Sequence, residues 1–442
     1  MRYDLAVVGS GPGGYKAAVT AARLGAKVAL VEGGQVGGTC LNRGCIPKKA
    51  LQHQAALLDE VRSLQGRGLE GELKLNFQAA GQHKDQVVGT IREGLRGWLK
   101  RARIDLFPAR ARLTGSRHLL LADGEELEAD KIIMATGARP RTLEACPTDG
   151  HRILDSDDFM DRLEEVSGRF LCVGGGPVNA ELSYILHQFG AEVTWITEAD
   201  RLLDRARVPE RAGQALQRRL RRMGMTVRTE LEVTATRVRE DGVDVTFSNG
   251  EEDRFDRVLV AVGREPVTEG LGLEAAGVAV TPEGFIQTNP FLETTVPGIY
   301  AIGDVKPGPM NANTALQEGK VAVRNALEGA QENPNYNRVP TTIYSALEIA
   351  AVGLTEERAE MAGFEPVTAQ GTFGASPKAH AHGASEGFVE VVLDEETCQL
   401  LGGCIVGPEA GEPIHLQEAA TQSPRGLNFL SELCYSHPSW CE

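Results

Sequence analysis

The sequence predicts an α/β protein with two Rossmann-like domains and a C-terminal α+β domain. Three observations lead to this fold class. A strand, a glycine-rich loop, a helix and a second strand open the chain, the same unit returns near residue 170, and antiparallel-looking strands follow from about residue 339. Because 442 residues exceed the length of one ordinary domain core, we expect two or three packed domains.

The opening unit has the pattern of a dinucleotide-binding βαβ motif. Leu5–Val8 and Val28–Val31 are short apolar strands, and the Ala-rich helix between them runs to about Leu24. The loop before this helix lets backbone N–H groups approach a pyrophosphate, and Glu32, 23 residues after Gly9, is placed to bind a ribose diol. The loop residues that we expect to contact the dinucleotide are Gly9, Gly11, Pro12 and Gly14.

The second unit predicts a second dinucleotide site. Phe170–Val173, a glycine loop, a helix through Phe189 and the strand Val193–Ile196 repeat the first pattern. Each unit is followed later in the chain by a segment with the pattern of a buried strand that ends in glycine. These segments are Ile132–Gly137 for the first unit and Val258–Arg264 for the second. The contacts that we expect from these segments are Gly174, Gly176, Glu198, Gly263, Thr136 and Gly137.

The charge of the chain argues against two kinds of binding surface. The formal net charge is −15, whereas binding to nucleic acid or to an anionic membrane needs clustered Lys and Arg. The sequence contains no apolar stretch of about 18 residues, and its opening lacks the charged and apolar regions of a secretory signal. We therefore expect a cytoplasmic enzyme that binds neither nucleic acid nor membrane.

Cys40 and Cys45 form the clearest chemical motif in the sequence. A bridge between them would close too short a loop to add much stability, and a zinc site would need a second pair of Cys or His, so we expect no metal. A redox role explains more, because a helix N-terminus at Cys45 and a nearby Lys48 or Lys49 favour the thiolate. The cysteines expected to be small buried hydrophobes are Cys146, Cys172, Cys398 and Cys404.

The segment from Gly37 to Lys49, GGTCLNRGCIPKK, resembles the active-site segment of the flavin-dependent pyridine nucleotide-disulfide oxidoreductases. This family includes dihydrolipoamide dehydrogenase, glutathione reductase and mercuric reductase. The motifs ATGARP, AVGREP, YAIGD and HPSWCE also resemble family motifs in the expected order, so the resemblance covers the whole chain. It implies FAD on the first unit, a nicotinamide dinucleotide on the second, and a homodimer joined by the last domain.

The resemblance also implies how the chain is divided. The expected segments are an FAD-binding domain in two parts (1–145 and 266–335), an NAD-binding domain (146–265) and a C-terminal dimerisation domain (336–442).

Residue roles follow from the same resemblance. Cys40 is similar to the interchange thiol that meets the substrate, and Cys45 is similar to the thiol that lies against the flavin. Lys48 or Lys49 would hold the flavin N5 region and pair with Glu181, and the adjacent lysines leave that choice open. Asp304 would hold the flavin ribityl chain. The further flavin contacts that the family pattern implies are Thr39, Lys49 and Gly303.

His437 and Glu442 predict an acid–base dyad near the C-terminus. A thiol that attacks Cys40 needs a base that works near neutrality, and imidazole supplies one when a carboxylate orients it. With Pro438 between them, the two residues resemble the His-Pro dyad of the family, which acts on the cysteines of the other subunit.

The second ribose strand favours NAD over NADP. Thr197, Glu198 and Ala199 stand where NADP-using members of the family carry Arg, so a 2′-phosphate would meet a carboxylate. The sequence departs from the family at two places here, because the usual acid is replaced by Thr197 and the third glycine by Asn179.

The terminal motif and the segments that begin at Ile343 and Val406 most resemble dihydrolipoamide dehydrogenase. The implied reaction is oxidation of a protein-bound dihydrolipoyl group, with electrons passing through the cysteine pair and FAD to NAD. Departures from the family pattern suggest a specialised lipoyl-protein partner, and they are Leu347, Asn313, Trp440 and Cys441.

Three alternatives stay open on the sequence. A mercuric reductase would carry a vicinal cysteine pair near the end, whereas Cys434 and Cys441 are separated. A glutathione-type reductase would carry basic residues for the substrate carboxylates and NADP features. A flavoprotein diaphorase, or a component of a larger assembly, would not require both cysteines and both dyad residues.

Overall fold

A computed structural model describes residues 2–442, in which strands and helices alternate from the start. The elements up to residue 141 are β1 (Arg2–Val8), α1 (Pro12–Arg23), β2 (Val28–Val31), α2 (Gly38–Asn42), α3 (Cys45–Ser63), α4 (Phe77–Arg101), β3 (Asp105–Phe107), β4 (Ala111–Gly115), β5 (His118–Leu121), β6 (Glu126–Met134) and β7 (Ala138–Pro140). The next elements are β8 (Ile153–Leu154), α5 (Ser156–Arg162), β9 (Arg169–Val173), α6 (Pro177–Gln188), β10 (Glu192–Ile196), α7 (Glu210–Arg222), β11 (Thr226–Arg228), β12 (Val233–Arg239), β13 (Gly242–Phe247), β14 (Glu252–Phe255) and β15 (Arg257–Val260).

The remaining elements include short 3₁₀ turns at Gly303–Val305, Tyr336–Arg338 and Phe373–Ala375. Those up to residue 335 are β16 (Arg264–Pro266), α8 (Leu273–Ala276), β17 (Ile299–Ala301) and α9 (Ala312–Glu328). Those of the last segment are β18 (Thr341–Tyr344), β19 (Glu348–Gly353), α10 (Glu356–Met361), β20 (Pro366–Thr372), α11 (Pro377–His382), β21 (Phe388–Asp394), β22 (Leu400–Val406), α12 (Ile414–Thr421) and α13 (Leu427–Ser431).

The described chain divides into two compact units. The first unit comprises residues 2–48, 83–141 and 264–335, and the second comprises residues 49–82, 142–263 and 336–442.

The first unit is built on a sheet with the strand order β3-β2-β1-β6-β5-β4, in which β17 also pairs with β6. Strands β3, β2, β1, β6 and β17 run parallel, and β4 and β5 continue the sheet antiparallel. Helix α1 packs closely on α9, because a Cβ on Gly319 would stand 2.6 Å from the Gly13 carbonyl oxygen. The predicted first βαβ unit is confirmed, and its β1 and β2 end beside the loop that carries the glycines.

The second unit contains a parallel sheet and two antiparallel ones. The parallel sheet has the order β11-β10-β9-β15-β8, which confirms the predicted second βαβ unit. Strands β12, β13 and β14 form a small meander, and the last segment forms the antiparallel sheet β18-β19-β22-β21-β20 with helices beside it. The predicted α/β fold class with a C-terminal α+β domain is confirmed.

Three of the four cysteines expected in the interior are there. Cys146, Cys172 and Cys404 are buried, and burial raises the pKa of the Cys146 thiol to about 12. Burial also raises the thiol pKa of Cys172 and Cys404, so these groups stay protonated. The expectation was wrong for Cys398, which is exposed and has a left-handed backbone in the turn between β21 and β22. Within residues 2–442, every helix is too short or too polar to span a bilayer.

Candidate active site

The first glycine loop has the geometry of a phosphate-binding turn. Gly9 adopts φ +101°, and a Cβ there would collide with the backbone carbonyl of Ala135. Gly11 is the N-cap of α1, and no described side chain caps its first N–H groups. Because Pro12 has no N–H to satisfy at the first helical position, the remaining N–H groups of this turn are available to an anion.

Glu32 directly follows β2. One carboxylate oxygen accepts the Ser10 N–H at 2.9 Å and the Ser10 hydroxyl at 2.6 Å, and the other accepts the Gly34 N–H at 2.7 Å. A carboxylate offers about four acceptor positions, so Glu32 keeps capacity for a hydroxyl donor such as a ribose diol. The loop and the acid therefore fit the adenosine end of a dinucleotide.

The second glycine loop repeats this construction with a difference. Gly174 adopts φ +111°, and a Cβ there would collide with the Ala261 carbonyl. Gly176 is the N-cap of α6, and within residues 2–442 only Gly176 itself and its chain neighbours have atoms within 4 Å of where its Cβ would stand. Asn179, in place of the third glycine, donates to the carbonyls of Val173 at 2.7 Å and Gly174 at 2.8 Å. The amide therefore ties the helix to the loop that would hold the second pyrophosphate.

Glu198 lies just beyond β10, at the position where the ribose of the second dinucleotide would bind. Its carboxylate forms an exposed ion pair with Arg205 at 2.8 Å. Thr197 is buried, with its side chain against Gly175. Because Thr197 cannot serve as a ribose acid, Glu198 is the carboxylate closest in sequence to the strand end.

Gly303 and Asp304, predicted to contact the first dinucleotide, lie beside a buried ion pair between Lys306 and Glu318. Gly303 donates its N–H to Glu318 at 2.6 Å, and Glu318 also accepts from Lys306 Nζ at 3.0 Å. Burial raises the pKa of the Asp304 carboxyl, and the charge of Arg264 acts in the opposite direction. In the same unit, the Thr136 hydroxyl donates to the Val267 carbonyl at 2.7 Å, and Gly137 is left-handed. Gly263, in the second unit, is also left-handed.

Cys40 and Cys45 are joined as a disulfide with their Cα atoms 4.7 Å apart. Cys40 lies in α2 and is partly exposed, and Cys45 is exposed as the first residue of α3, as the sequence predicted. Asn42 braces α2 by donating to the Gly38 carbonyl at 2.8 Å and accepting from Arg92 at 2.8 Å. Thr39 is exposed on the same short helix. The disulfide is therefore formed and accessible at a helix N-terminus, the position that favours a thiolate after reduction.

Lys49 and Glu181 meet the same residue, Tyr344. The Lys49 Nζ lies 3.1 Å from the centroid of the Tyr344 ring, and the Tyr344 backbone N–H donates to Glu181 Oε1 at 3.0 Å. Burial raises the pKa of the neighbouring Glu348 carboxyl, whereas the Gly411 N–H and the Lys49 charge lower it. Lys48 belongs to the first unit, where its backbone N–H bonds the Gly44 carbonyl.

His437 and Glu442 are in contact. His437 Nδ1 lies 2.8 Å from Glu442 Oε1, and the other carboxylate oxygen accepts the Ser439 N–H at 2.9 Å. These two bonds, with the Ser439 N–H first, lower the pKa of the Glu442 carboxyl. The peptide bond between His437 and Pro438 is cis. An ionised carboxylate that holds Nδ1 leaves Nε2 of the imidazole to take a proton.

Within each of three predicted sets, the structure places the members in contact: Cys40 with Cys45, His437 with Glu442, and Lys49 and Glu181 each with Tyr344. The cysteines belong to the first unit, and the other two sets belong to the second. Sequence reasoning did not assign Tyr344 or Arg205 to the site. The signal for Tyr344 was its place beside Ile343, in a segment that carries the family resemblance.

Comparison with family models identifies both parts of the chain. Residues 3–319 match the pyridine nucleotide-disulphide oxidoreductase model, and residues 339–442 match the dimerisation domain of the same family.

Full-length relatives and solved structures agree with these matches. The chain is 40% identical to a dihydrolipoyl dehydrogenase of Thermus scotoductus and 38% identical to one of Chlorobaculum parvum, each over 100% of this chain and 95% of the relative. Its fold matches LpdA of Mycobacterium tuberculosis with a TM-score of 0.92 at 25% identity, over 100% of this chain and 97% of that one. The flavoprotein disulfide reductase RclA of Escherichia coli matches with a TM-score of 0.87 at 27% identity and the same coverage.

Proposed function

Because the chain belongs to the pyridine nucleotide-disulphide oxidoreductase family, we propose that it oxidises protein-bound dihydrolipoyl groups with NAD through Cys40 and Cys45. It is an NAD-dependent flavoprotein oxidoreductase that uses FAD, and its dimerisation domain supports a homodimer. The observation that carries the proposal is the accessible Cys40–Cys45 disulfide. The dihydrolipoyl substrate rests on relatives of that name, which match the whole chain.

The proposed chemistry at the cysteines is two thiol exchanges. His437 takes the proton from the first substrate thiol, and the resulting thiolate attacks Cys40 Sγ, which breaks the Cys40–Cys45 bond and releases the Cys45 thiolate. The second substrate thiol loses its proton to solvent, and its thiolate attacks the substrate sulfur of the mixed disulfide, which forms the cyclic lipoyl disulfide and releases the Cys40 thiolate. Cys40 then takes the proton that His437 holds. The substrate loses two electrons and two protons, the cysteine pair gains both electrons and one proton, and the other proton goes to solvent.

The chain's residues divide the cofactor work in this proposal. When bound, FAD supplies the two-electron carrier between the cysteine pair and NAD. The first loop and Glu32 would hold the adenosine half of FAD, Asp304 the ribityl chain and Thr39 the region near the cysteines. The second loop and Glu198 would hold NAD. The two loop assignments rest on the open, uncapped helix N-termini of α1 and α6, and the roles of Asp304 and Thr39 rest on the family resemblance.

Several finer assignments belong to the same proposal. We propose the division into residues 1–145, 146–265, 266–335 and 336–442 given above, with His437 and Glu442 acting on the cysteines of the other subunit. We also propose a cytoplasmic location, because thiols are kept reduced there and six of the eight cysteines are free.

The direct test is an anaerobic assay of the purified holoenzyme with dihydrolipoamide and NAD. Rapid NADH formation would support the proposal. The same assay with a dihydrolipoyl group on an isolated lipoyl domain would then show how the rate with a protein-bound substrate compares with the rate with free dihydrolipoamide. Absence of turnover by an enzyme that carries FAD and a reducible disulfide would overturn the dihydrolipoyl assignment, leaving the flavoprotein disulfide chemistry in place.

Replacing Lys49 should lower the turnover number, and replacing Lys48 should not. We propose Lys49 as the lysine at the flavin because it lies on Tyr344, whose N–H binds Glu181. Loss of this fixed charge in Lys49→Met should lower kcat by about 10- to 100-fold. Lys48→Met is the matched control, since it removes the same charge one residue earlier. Equal losses in the two variants would contradict the assignment.

Replacing Glu198 should weaken discrimination against NADP. Glu198→Ala removes the carboxylate that would repel a 2′-phosphate, and it frees Arg205 to attract that phosphate. We therefore expect the ratio of kcat/KM for NADP to kcat/KM for NAD to rise about tenfold. Arg205→Ala should shift the ratio in the opposite direction. Glu210→Ala, which removes another exposed carboxylate near an arginine, should leave it unchanged. A constant ratio across all three variants would rule out Glu198 as the selecting residue.

A further inference from the structure

We infer that Trp440 is a positioning residue that holds the His437–Glu442 dyad in place. The inference rests on the proposed function, because it assigns the dyad to the dihydrolipoyl reaction. The dyad lies on a C-terminal tail, residues 432–442. After α13 ends at Ser431, the described residues form neither helix nor strand, and the His437 side chain is 68% exposed. The position of the imidazole must therefore come from contacts that its neighbours make.

Trp440 makes those contacts with three side chains. Its ring meets Phe373 edge to face at a centroid distance of 5.8 Å and His382 in a tilted arrangement at 5.3 Å. The Lys378 Nζ lies 5.4 Å from the indole centroid, a cation–π distance. Lys378 and His382 are both on α11, so the indole is held between this helix and the 3₁₀ turn before it.

The surface under Trp440 is closely packed. Phe373 is buried, and a Cβ on Gly387 would stand 3.0 Å from its ring. Phe373 and Trp440 pack on one apolar cluster of the C-terminal domain, whose members are Ala350, Val352, Phe373, Ala379, Ile405, Ala410 and Ile414. Packing on this cluster attaches the indole to the antiparallel sheet, because Ala350, Val352 and Ile405 belong to β19 and β22.

The anchor is connected to the dyad on both sides. Trp440 lies inside the loop that the His437–Glu442 bond closes, and the N–H of Ser439, its predecessor, donates to Glu442. Cys441, its successor, donates its N–H to the Ser439 hydroxyl at 3.4 Å. Fixing the indole therefore fixes the backbone that presents the carboxylate, and the carboxylate fixes the imidazole.

This arrangement predicts a selective defect when Trp440 is removed. Without the anchor the tail samples more conformations, and a misplaced base costs about 10- to 100-fold in rate. The defect should appear where the dyad acts, in the exchange between substrate thiol and Cys40. Reduction of the flavin by NADH does not use the dyad and should keep its rate.

The test separates these two half-reactions in the FAD-loaded enzyme. Anaerobic rapid mixing with dihydrolipoamide, and separately with NADH, follows the flavin absorbance in the wild type, Trp440→Ala and Trp440→Phe. We expect Trp440→Ala to be reduced by dihydrolipoamide about 10- to 100-fold more slowly, with NADH reduction unchanged, and Trp440→Phe to recover most of the rate. His437→Gln gives the reference for complete loss of the base. Met361→Ala, which removes a side chain that is 77% exposed in the same domain, is the matched control.

The outcomes distinguish the inference from the proposed function. A wild type that NADH reduces and dihydrolipoamide does not would overturn the proposed function, and the inference with it. An active wild type with an equally active Trp440→Ala would overturn the inference alone. If Trp440→Ala lost both half-reactions together, the inference would also be overturned, because that result would indicate a general structural defect and not a selective loss of the dyad. Should Trp440→Ala fail to fold, Trp440→Leu takes its place, because leucine keeps an apolar side chain but removes the ring contacts. A selective dihydrolipoamide defect in Trp440→Leu relative to Met361→Ala would support the inference, and the absence of such a defect would overturn it.

Discussion

Replacing Cys45 with serine should abolish the oxidation of dihydrolipoamide by NAD. Serine keeps the size of the side chain but cannot form the disulfide with Cys40, so the substrate thiolate has no sulfur–sulfur bond to break. We expect kcat to fall by at least about 10³-fold in an anaerobic assay of NADH formation. Cys40→Ser should give the same loss, because it removes the sulfur that the substrate attacks.

The control for this prediction is a serine substitution at a cysteine outside the disulfide. Cys398 is exposed and free, so Cys398→Ser changes an accessible thiol without touching the pair. We expect it to keep the wild-type rate. Bound FAD and its reduction by NADH should survive in both Cys45→Ser and Cys398→Ser. If Cys45→Ser retained activity within about tenfold of the wild type, the disulfide mechanism would be wrong.

The parts of this molecule that sequence could predict are those encoded by short-range patterns. The first βαβ unit appears where Leu5–Val8 and Val28–Val31 predicted it, because apolar runs and glycines specify a strand and a turn within a few residues. Cys45 begins α3 as expected, since a Pro two residues later is compatible only with a first helical turn.

The parts that sequence could not predict depend on contacts between distant residues. Tyr344 reaches Glu181 across 163 positions of the chain, and no local pattern records that hydrogen bond. The exposure of Cys398 depends on its place in a turn. Its residue type predicts burial, whereas Cys398 lies in a left-handed turn between β21 and β22, where it faces solvent. Burial by residue type is a tendency, and a turn overrides it.

Removing either member of the dyad should slow the reaction by different amounts. His437→Gln deletes the base, and general acid–base catalysis by a side chain contributes about 10² to 10⁴-fold, so a loss in that range is expected. Glu442→Gln keeps the shape and one hydrogen-bonding oxygen but loses the negative charge that stabilises the protonated imidazole. We expect about 10²-fold for this variant, measured as kcat with dihydrolipoamide at saturating NAD.

The charge state of the Glu442 carboxyl determines the pH range in which these rates should be compared. Its pKa is lowered by the Ser439 N–H and by His437, so the folded protein holds the carboxylate ionised at every pH above the ordinary value of 4.5 and loses it only as the pH falls through the lowered value. Assays between about pH 6 and 8 therefore compare a charged wild type with a neutral glutamine. Glu432→Gln, which removes an exposed carboxylate ten residues earlier, should leave kcat unchanged. A Glu442→Gln enzyme as fast as this control would mean that the imidazole needs no carboxylate to orient it, and the dyad would reduce to His437 alone.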